Sequence, residues 1–363
     1  MAEPGAVTDR EQKILGIIET ARGKRAKFRD EHINMSHGAG GKATQSLIEG
    51  MFVPMLGGEA LMEMADAGTL EVGGATLAMS TDSYVVKPLR FPGGSIGELA
   101  VNGTVNDLAM AGARPLALSL SLILEEGLAA QTLREEVQAV AEAAQRAQVT
   151  ILTGDTKVVE RGKADGMYIC TAGIGVRDPR ASLSPAALQP GDRILLSGSI
   201  GEHGTAIMLA RNQFELDADV ESDTCSLWPA VDAMLEAAGP HLRCLRDATR
   251  GGVASVLNEL ARASSVAMLV REGEVPVRPV VAGAAEILGI DPMYIANEGR
   301  LVAFVAPEAS DQALAALRSV PGCEDATEIG EVRTDPPGMV LVQTAFGRRV
   351  MDQLVGDPLP RIC

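Results

Sequence analysis

Residues 95–124 read SIGELAVNGTVNDLAMAGARPLALSLSLIL. The spacing of apolar residues predicts a helix over 95–111, and the run at 116–124 predicts a long apolar strand. Working outward, 130–147 has the pattern of an amphipathic helix rich in Ala, Glu and Gln. Ile151-Leu152 reads as a short buried strand leading into a loop, Thr153-Gly154-Asp155-Thr156-Lys157, and Met167 to Val176 as another strand. Upstream, Leu77 to Met79 reads as a strand ending at Asp82-Ser83. Before it, Gly38-Ala39-Gly40-Gly41-Lys42 precedes a helical pattern carrying Leu47, Ile48, Met51 and Phe52. This alternation predicts a mixed α/β (α+β) architecture.

A proline-rich break at 177–191 is the best boundary. Beyond it, strands are expected at 193–196, 301–305 and 339–342, with helices at 203–211 and 251–263. The 363 residues suggest two domains. The expected division is an N-terminal extension at 1–30, a first domain at 31–180, a second at 181–346, and a flexible tail at 347–363. The extension holds a capping-box pattern, Thr8-Asp9-Arg10-Glu11, and an apolar stripe of Ile14, Leu15 and Ile18.

The chain carries 32 Lys plus Arg against 48 Asp plus Glu, a net charge of −16, and only 3% aromatic residues. This balance argues against nucleic-acid binding and against docking on an anionic membrane. The charged start lacks the apolar core of a signal peptide, and no apolar run approaches the roughly 18 residues of a membrane span, so a cytoplasmic protein is expected. The cysteines, Cys170, Cys225, Cys244, Cys323 and Cys363, contain no CxxC pair, and the four histidines no HxH or HExxH spacing, which disfavours a zinc site. Cys363 is the last residue, one position from the end where a prenylation box needs its Cys at the fourth.

Several residues are candidates for chemistry. Gly40, Gly41 and Lys42 form a turn whose backbone N–H groups could face a phosphate, with an ordinary tight turn as the alternative. Asp82 at a strand end, Asp107 inside a helical pattern and Asp247 ahead of Gly251-Gly252 could converge on Mg²⁺, which prefers oxygen ligands. Asp82 and Asp247 could instead be caps; Asp107 has no capping job. Asp155 and Lys157 follow a strand, where α/β folds bind ligands, and Lys157 could neutralise phosphate charge. Glu298, in Asn297-Glu298-Gly299, could be a general base or part of a simple turn.

The set of segments His37–Lys42, Thr81–Val86, Phe91–Gly94, Leu99–Ala109, Thr153–Val159, Arg246–Gly252, Ala296–Gly299 and Pro360-Arg361-Ile362-Cys363 resembles the HypE family of hydrogenase expression/formation proteins. The resemblance runs from about residue 33 to the end. It implies the two-domain fold of the aminoimidazole ribonucleotide synthetase-like superfamily, shared with selenophosphate synthetase and thiamine-monophosphate kinase. That fold has an N-terminal sheet domain that forms a homodimer, a C-terminal α/β domain and an extended tail. It further implies ATP and Mg²⁺, with Asp82, Asp107 and Asp247 as metal-binding acids. Gly40, Gly41, Lys42, Asp82, Asn106, Asp107 and Asp155 would contact the nucleotide, and Lys157, Glu298 and Cys363 would be catalytic.

In that family the terminal cysteine accepts a carbamoyl group from the carbamoyltransferase HypF. ATP-dependent dehydration then turns the thiocarbamate, S–C(=O)–NH2, into a thiocyanate, S–C≡N. The cyanide passes to the HypC–HypD iron-site assembly complex. Phe346 to Cys363 spans 18 residues, at most about 60 Å when extended, enough to reach a nucleotide site. Two other readings stay open at this point. One is a superfamily enzyme acting on a free substrate, such as a selenophosphate synthetase or a small-molecule kinase; no Cys precedes Cys170, which disfavours the former. The other is a carbamoyl-carrying adaptor without ATP chemistry.

Overall fold

A computed structural model describes residues 28–57, 65–211, 219–356, 359 and 361–363. The Thr8–Glu11 pattern, the 14–18 stripe, Pro358 and Pro360 lie outside the described residues. The first sheet contains β1 (Gly68–Val72), β2 (Ala75–Tyr84), β5 (Ala113–Glu125), β6 (Thr150–Val159) and β7 (Met167–Arg177), in the order β1-β2-β7-β5-β6. A two-stranded ribbon, β3 (Arg90–Phe91) and β4 (Gly94–Ser95), leads into the 96–110 helix. Neighbours are antiparallel except β5 and β6, whose crossover contains a helix.

Two long helices follow the short α1 (Lys42–Leu47): α2 (Ile96–Met110) and α3 (Ala130–Arg146). They differ as their sequences require. α3 alternates a polar face with a stripe of Val140, Ala143 and Ala144 that it buries. α2 is apolar or small nearly all round, and every residue except Glu98 and Asp107 is buried. Its glycines permit this closeness: a Cβ at Gly103 would stand 2.2 Å from Tyr84 Oη, and one at Gly97 would stand 2.4 Å from Glu136 O.

Side chains alternate across a sheet, and directly paired residues share a face. Ala78, Ser80 and Tyr84 of β2 are buried on the side of α2, whereas Met79 points the other way, opposite Ile174. That outer face exposes Leu70, Val72, Met79, Leu116 and Ile174. The expected short buried strand at 151–152 with a following loop is corrected. β6 continues through Val159 as an edge strand, almost all of it exposed. Asp155 and Lys157 therefore sit within a strand, not on a loop.

The second sheet has the order β14-β13-β10-β12-β8-β11-β9. It comprises β8 (Arg193–Leu196), β9 (Leu242–Asp247), β10 (Ala267–Arg271), β11 (Leu301–Val305), β12 (Thr327–Arg333), β13 (Val340–Thr344) and β14 (Gly347–Met351). Helices α5 (Trp228–Ala238), α6 (Gly252–Ala263) and α8 (Ser310–Arg318) cover it, whereas α4 (Glu202–Ala210) and α7 (Pro279–Leu288) pack into the cluster that holds Tyr84 and Phe91. One core cluster joins α6 to the sheet through Val253, Leu257, Phe304 and Ile329; another joins α5 and α8 through Val231, Leu235 and Leu317. Ala109 and Met110 of α2 enter the latter, so the first domain's central helix is also packed by the second domain.

The tail is not a free extension. Its first residues form β14, paired with β13. Leu354 and Val355 then accept hydrogen bonds from the N–H groups of Lys42 and Ala43, at 2.9 and 3.2 Å. The last residues are buried: Leu359 and Ile362 belong to a core cluster with Tyr84, Phe91, Leu99 and Ile295.

Candidate active site

The site lies where α2 meets β2 and the ends of β9 and β11. Asp82 is an inward residue within β2, rather than at the end of a strand, and its Oδ1 accepts from Ser83 N at 2.7 Å. Asp107 extends from α2, and Ser80 Oγ donates to its Oδ2. Asp247 is the buried last residue of β9 and does not cap α6, whose N-cap is Gly251. Glu298 is buried in the turn before β11.

These acids feel one another. Burial first, then the charges of Asp247, Asp66 and Asp82, push Asp107 well above the usual carboxylate range. Asp247 is pushed up by burial and then Asp66, against the lowering pull of Arg246. Glu298 is raised by burial, then by Asp82, Asp223 and Asp247. The Tyr84 phenol below them is raised by burial and by Asp82, Asp107 and Glu298.

The donors are all hard oxygens, the chemistry that suits Mg²⁺. Among the described residues, however, no group of three or more His, Cys, Asp or Glu is arranged to hold a metal by itself. The set fits Mg²⁺ in kind. Phosphate oxygens and water would have to complete the coordination shell, as is usual for this ion.

Other expected residues are differently used. Asn106 is buried with its amide fully engaged: Nδ2 donates to Cys225 O at 2.9 Å and Glu298 O at 3.3 Å, and Oδ1 accepts from Leu227 N at 2.7 Å. It ties α2 to the Glu298 turn, and both of its amide hydrogens are spent on protein carbonyls. The phosphate-cradle reading of the glycine turn meets the same difficulty. Gly40 N donates to Thr44 Oγ1, Lys42 N and Ala43 N to the 354–355 carbonyls, and Lys42 Nζ to Asp352 at 2.8 Å. A Cβ at Gly41 would meet Leu354 O at 2.6 Å, so glycine is needed for this packing.

Asp155 and Lys157 pair with each other at 2.5 Å on the exposed strand, which lowers the Asp155 carboxyl. Asp155 shares a lateral row with Ser121, Cys170 and Ser83, about 14 Å from Ser83 at three strand spacings. That row faces away from Asp82 and α2. Within one chain, the two residues do not join the acid cluster.

Three participants escaped the sequence reading. Asp66 forms an ion pair with Arg246, and it adds to the charge on Asp107 and Asp247. Asp223 receives Glu298 N at 3.0 Å and Gly299 N at 3.1 Å, fixing the turn that carries Glu298. Arg250 lowers Glu298 and donates to Gly38 O. Asp66 and Asp223 stand outside any motif, and their roles depend on contacts 180 and 75 positions away.

A cavity of about 1250 Å³ opens beside the cluster, lined by Gly38, Asp82, Lys87, Arg211, Arg250 and Cys363 among others. The last residue of the chain thus shares a cavity wall with Asp82. Cys363 is almost fully buried there, and its terminal carboxylate accepts from Val85 N at 3.1 Å.

Comparison with known proteins agrees with this architecture. Residues 64–177 match the AIR synthase related protein, N-terminal domain, and residues 189–342 the corresponding C-terminal domain. The chain is 48% identical over 341 residues to the carbamoyl dehydratase HypE of Bradyrhizobium diazoefficiens, covering 94% of this chain and 99% of that protein. A crystal structure of the hydrogenase maturation protein HypE in complex with ATP superposes with a TM-score of 0.77 at 44% identity, covering 92% of this chain and 100% of the other. The HypE of a HypE–HypF complex superposes with a TM-score of 0.81 at 41% identity, over 85% and 99%. With its two-sheet fold, its interdomain acid cluster and near-complete coverage of these relatives, the chain belongs to the HypE family of hydrogenase maturation proteins.

Proposed function

We propose that the chain is an ATP-dependent carbamoyl dehydratase whose substrate is a carbamoyl group on its own Cys363. The observation that carries this reading is the seat of Cys363 in the cavity lined by Asp82 and Arg250. The name of the Bradyrhizobium relative and the ATP complex of another support it. An amide oxygen is a very poor leaving group. Transfer of the γ-phosphoryl of ATP to the carbamoyl oxygen lets that oxygen depart with phosphate; two protons leave the nitrogen, and S–C≡N remains.

Glu298 is the proposed base. A buried carboxyl whose proton affinity is raised is, once ionised, a better proton acceptor than an ordinary one. Asp82, Asp107 and Asp247 are the proposed Mg²⁺ holders, and the ion would neutralise nucleotide phosphate charge. Arg250 and Lys87 line the same cavity and offer further positive charge. Asn106 positions the Glu298 turn through its bond to Glu298 O.

Lys157 and Asp155 require a second copy. The outer face of the first sheet exposes Leu70, Met79 and Ile174, an apolar surface that a homodimer would cover. Lys157 lies on that face and would act at the dimer boundary. HypF, the partner in a relative's crystal structure, is the proposed carbamoyl donor. The HypC–HypD complex is the proposed cyanide acceptor, in the cytoplasm.

Three outcomes are expected. In single-turnover phosphate release from carbamoylated protein, Glu298→Gln slows the reaction by roughly 10²–10⁴-fold; a wild-type rate contradicts the base assignment. Ile174→Asp converts the dimer to monomer in sedimentation velocity, and an unchanged dimer removes the sheet-face interface. The third concerns pH. Without a cation, burial and mutual repulsion give Asp107, Asp247 and Glu298 a higher proton affinity in the folded chain than unfolded carboxyls, which titrate near pH ~4. The folded state then binds more protons than the unfolded one, so stability falls as pH rises through the raised values. Without Mg²⁺, Tm is expected to fall as pH rises above about 4. Asp107→Asn should flatten that slope and raise Tm at the upper end; an unaltered slope contradicts the mutual repulsion.

A further inference from the structure

The last three residues are held by a set of contacts that reads both their backbone and their side chains. Two successive carbonyls and the terminal carboxylate each receive a donor. Arg211 Nη2 donates to Arg361 O, His203 Nε2 to Ile362 O at 2.7 Å, and Val85 N to Cys363 O at 3.1 Å. A carbonyl can only accept, so Nε2 carries the His203 proton. With the ring neutral, Nδ1 accepts from Ser222 Oγ at 2.8 Å. The ring stands edge-on to Phe91, with centroids 5.6 Å apart. His203 is fully buried, and burial is the main cause lowering its pKa, which favours this neutral form.

The side chains are read as well. Ile362 is 1% exposed among Tyr84, Val86, Phe91 and Ile295. The Arg361 guanidinium pairs with Asp165 at 2.5 Å and donates to Val85 O at 3.1 Å. One nitrogen, Nη2, serves the carboxylate and the carbonyl together. Arg361 also has φ 58°, the left-handed region, at a non-glycine residue. A conformation of this kind persists when surrounding contacts fix it.

We propose that this seat is a peptide-recognition site for chains ending in Arg-Ile-Cys and that it accepts such a peptide in trans. The contacts come from separate parts of the body: the segment after β2, the loop before β7, and α4 with the residue that follows it. None of them uses the link that connects the tail to β14. Donors to the peptide's backbone supply affinity and the two side-chain pockets supply selectivity, the usual division in recognition of an extended peptide. In the intact chain the tethered tail has an effective concentration on the order of millimolar, so it masks the seat. The proposal rests on the dehydratase reading for the chemistry at the thiol; recognition of the peptide does not depend on it.

The test uses full-length chains and a fluorescein-labelled synthetic peptide of residues 354–363, followed by anisotropy under reducing conditions. Ile362→Asp in the chain vacates the seat, because a carboxylate is costly in that apolar cluster. This variant is expected to bind the wild-type peptide saturably. The wild-type chain, with its seat filled, should bind at least tenfold more weakly. A peptide carrying Arg361→Ala should lose at least tenfold on the vacated chain. Arg361→Glu, which repels Asp165 and leaves the apolar cluster intact, is the second vacated chain should Ile362→Asp unfold. Absence of binding to a folded vacated chain overturns the proposal, as does equal binding of the Arg361→Ala peptide.

A parallel arm supplies S-carbamoyl peptide with Mg-ATP. If the wild-type chain dehydrates its own tail while vacated chains bind no peptide, the trans site is wrong and the proposed function stands. If vacated chains bind peptide but neither tail nor peptide is dehydrated, the seat stands and the proposed function falls.

Discussion

A helix without a solvent face can carry polar groups only where something receives them. The 96–110 helix is in that position: the first sheet packs one side of it, and the second domain packs the other. Each of its polar residues is accounted for by a specific partner. Asn102 bonds Thr224, Thr104 bonds Thr171, Asn106 holds the 225–227 and 298 backbones, and Asp107 receives Ser80. The two domains meet through this helix, and the acid cluster forms where they meet. Loss of the helix's burial would separate Asp82 and Asp107 of the first domain from Asp247 and Glu298 of the second.

The same constraint explains what was legible in the sequence. The 130–146 helix is readable from its regular periodicity, and the 96–110 helix and 113–125 strand from long apolar stretches whose lengths suit those elements. Asp107 stood out because an acid amid apolar helical neighbours has no capping role. The motifs around Asp82, Asp247, Glu298 and Cys363 marked residues that the fold gathers around one cavity and its adjoining cluster. The 150–159 strand was misread because an exposed edge strand lacks an apolar alternation, and Asp155 and Lys157 were therefore taken for a loop. Asn106 looked like a ligand because an amide in a motif carries no sign of which backbone groups it will satisfy. Asp66 and Asp223 were illegible for a related reason: their partners are distant in sequence and adjacent only after folding.

The tail shows the limit of composition most clearly. Prolines and a fading pattern suggested a flexible extension, yet Leu359, Ile362 and Cys363 are buried. The signal was present in Leu359 and Ile362, two apolar residues near the end, but four residues are too few to display a period. Their burial has a functional sense. The proposed reaction needs Cys363 beside a site rich in negative charge, and the tail's last two carbonyls and terminal carboxylate are met there by Arg211, His203 and a backbone N–H. The seat supplies donors and apolar surface, while the acids lie beside it, where the proposed cation and phosphates would bind.

The central claim is that the group on Cys363 loses water within this seat. The most direct measurement is the mass of the C-terminal peptide from carbamoylated full-length protein, before and after incubation with Mg-ATP. The account requires loss of one water from that peptide, dependent on ATP, to give the thiocyanate. A carbamoyl mass that stays unchanged, in a protein that binds ATP, would contradict it and favour a carrier without dehydratase chemistry.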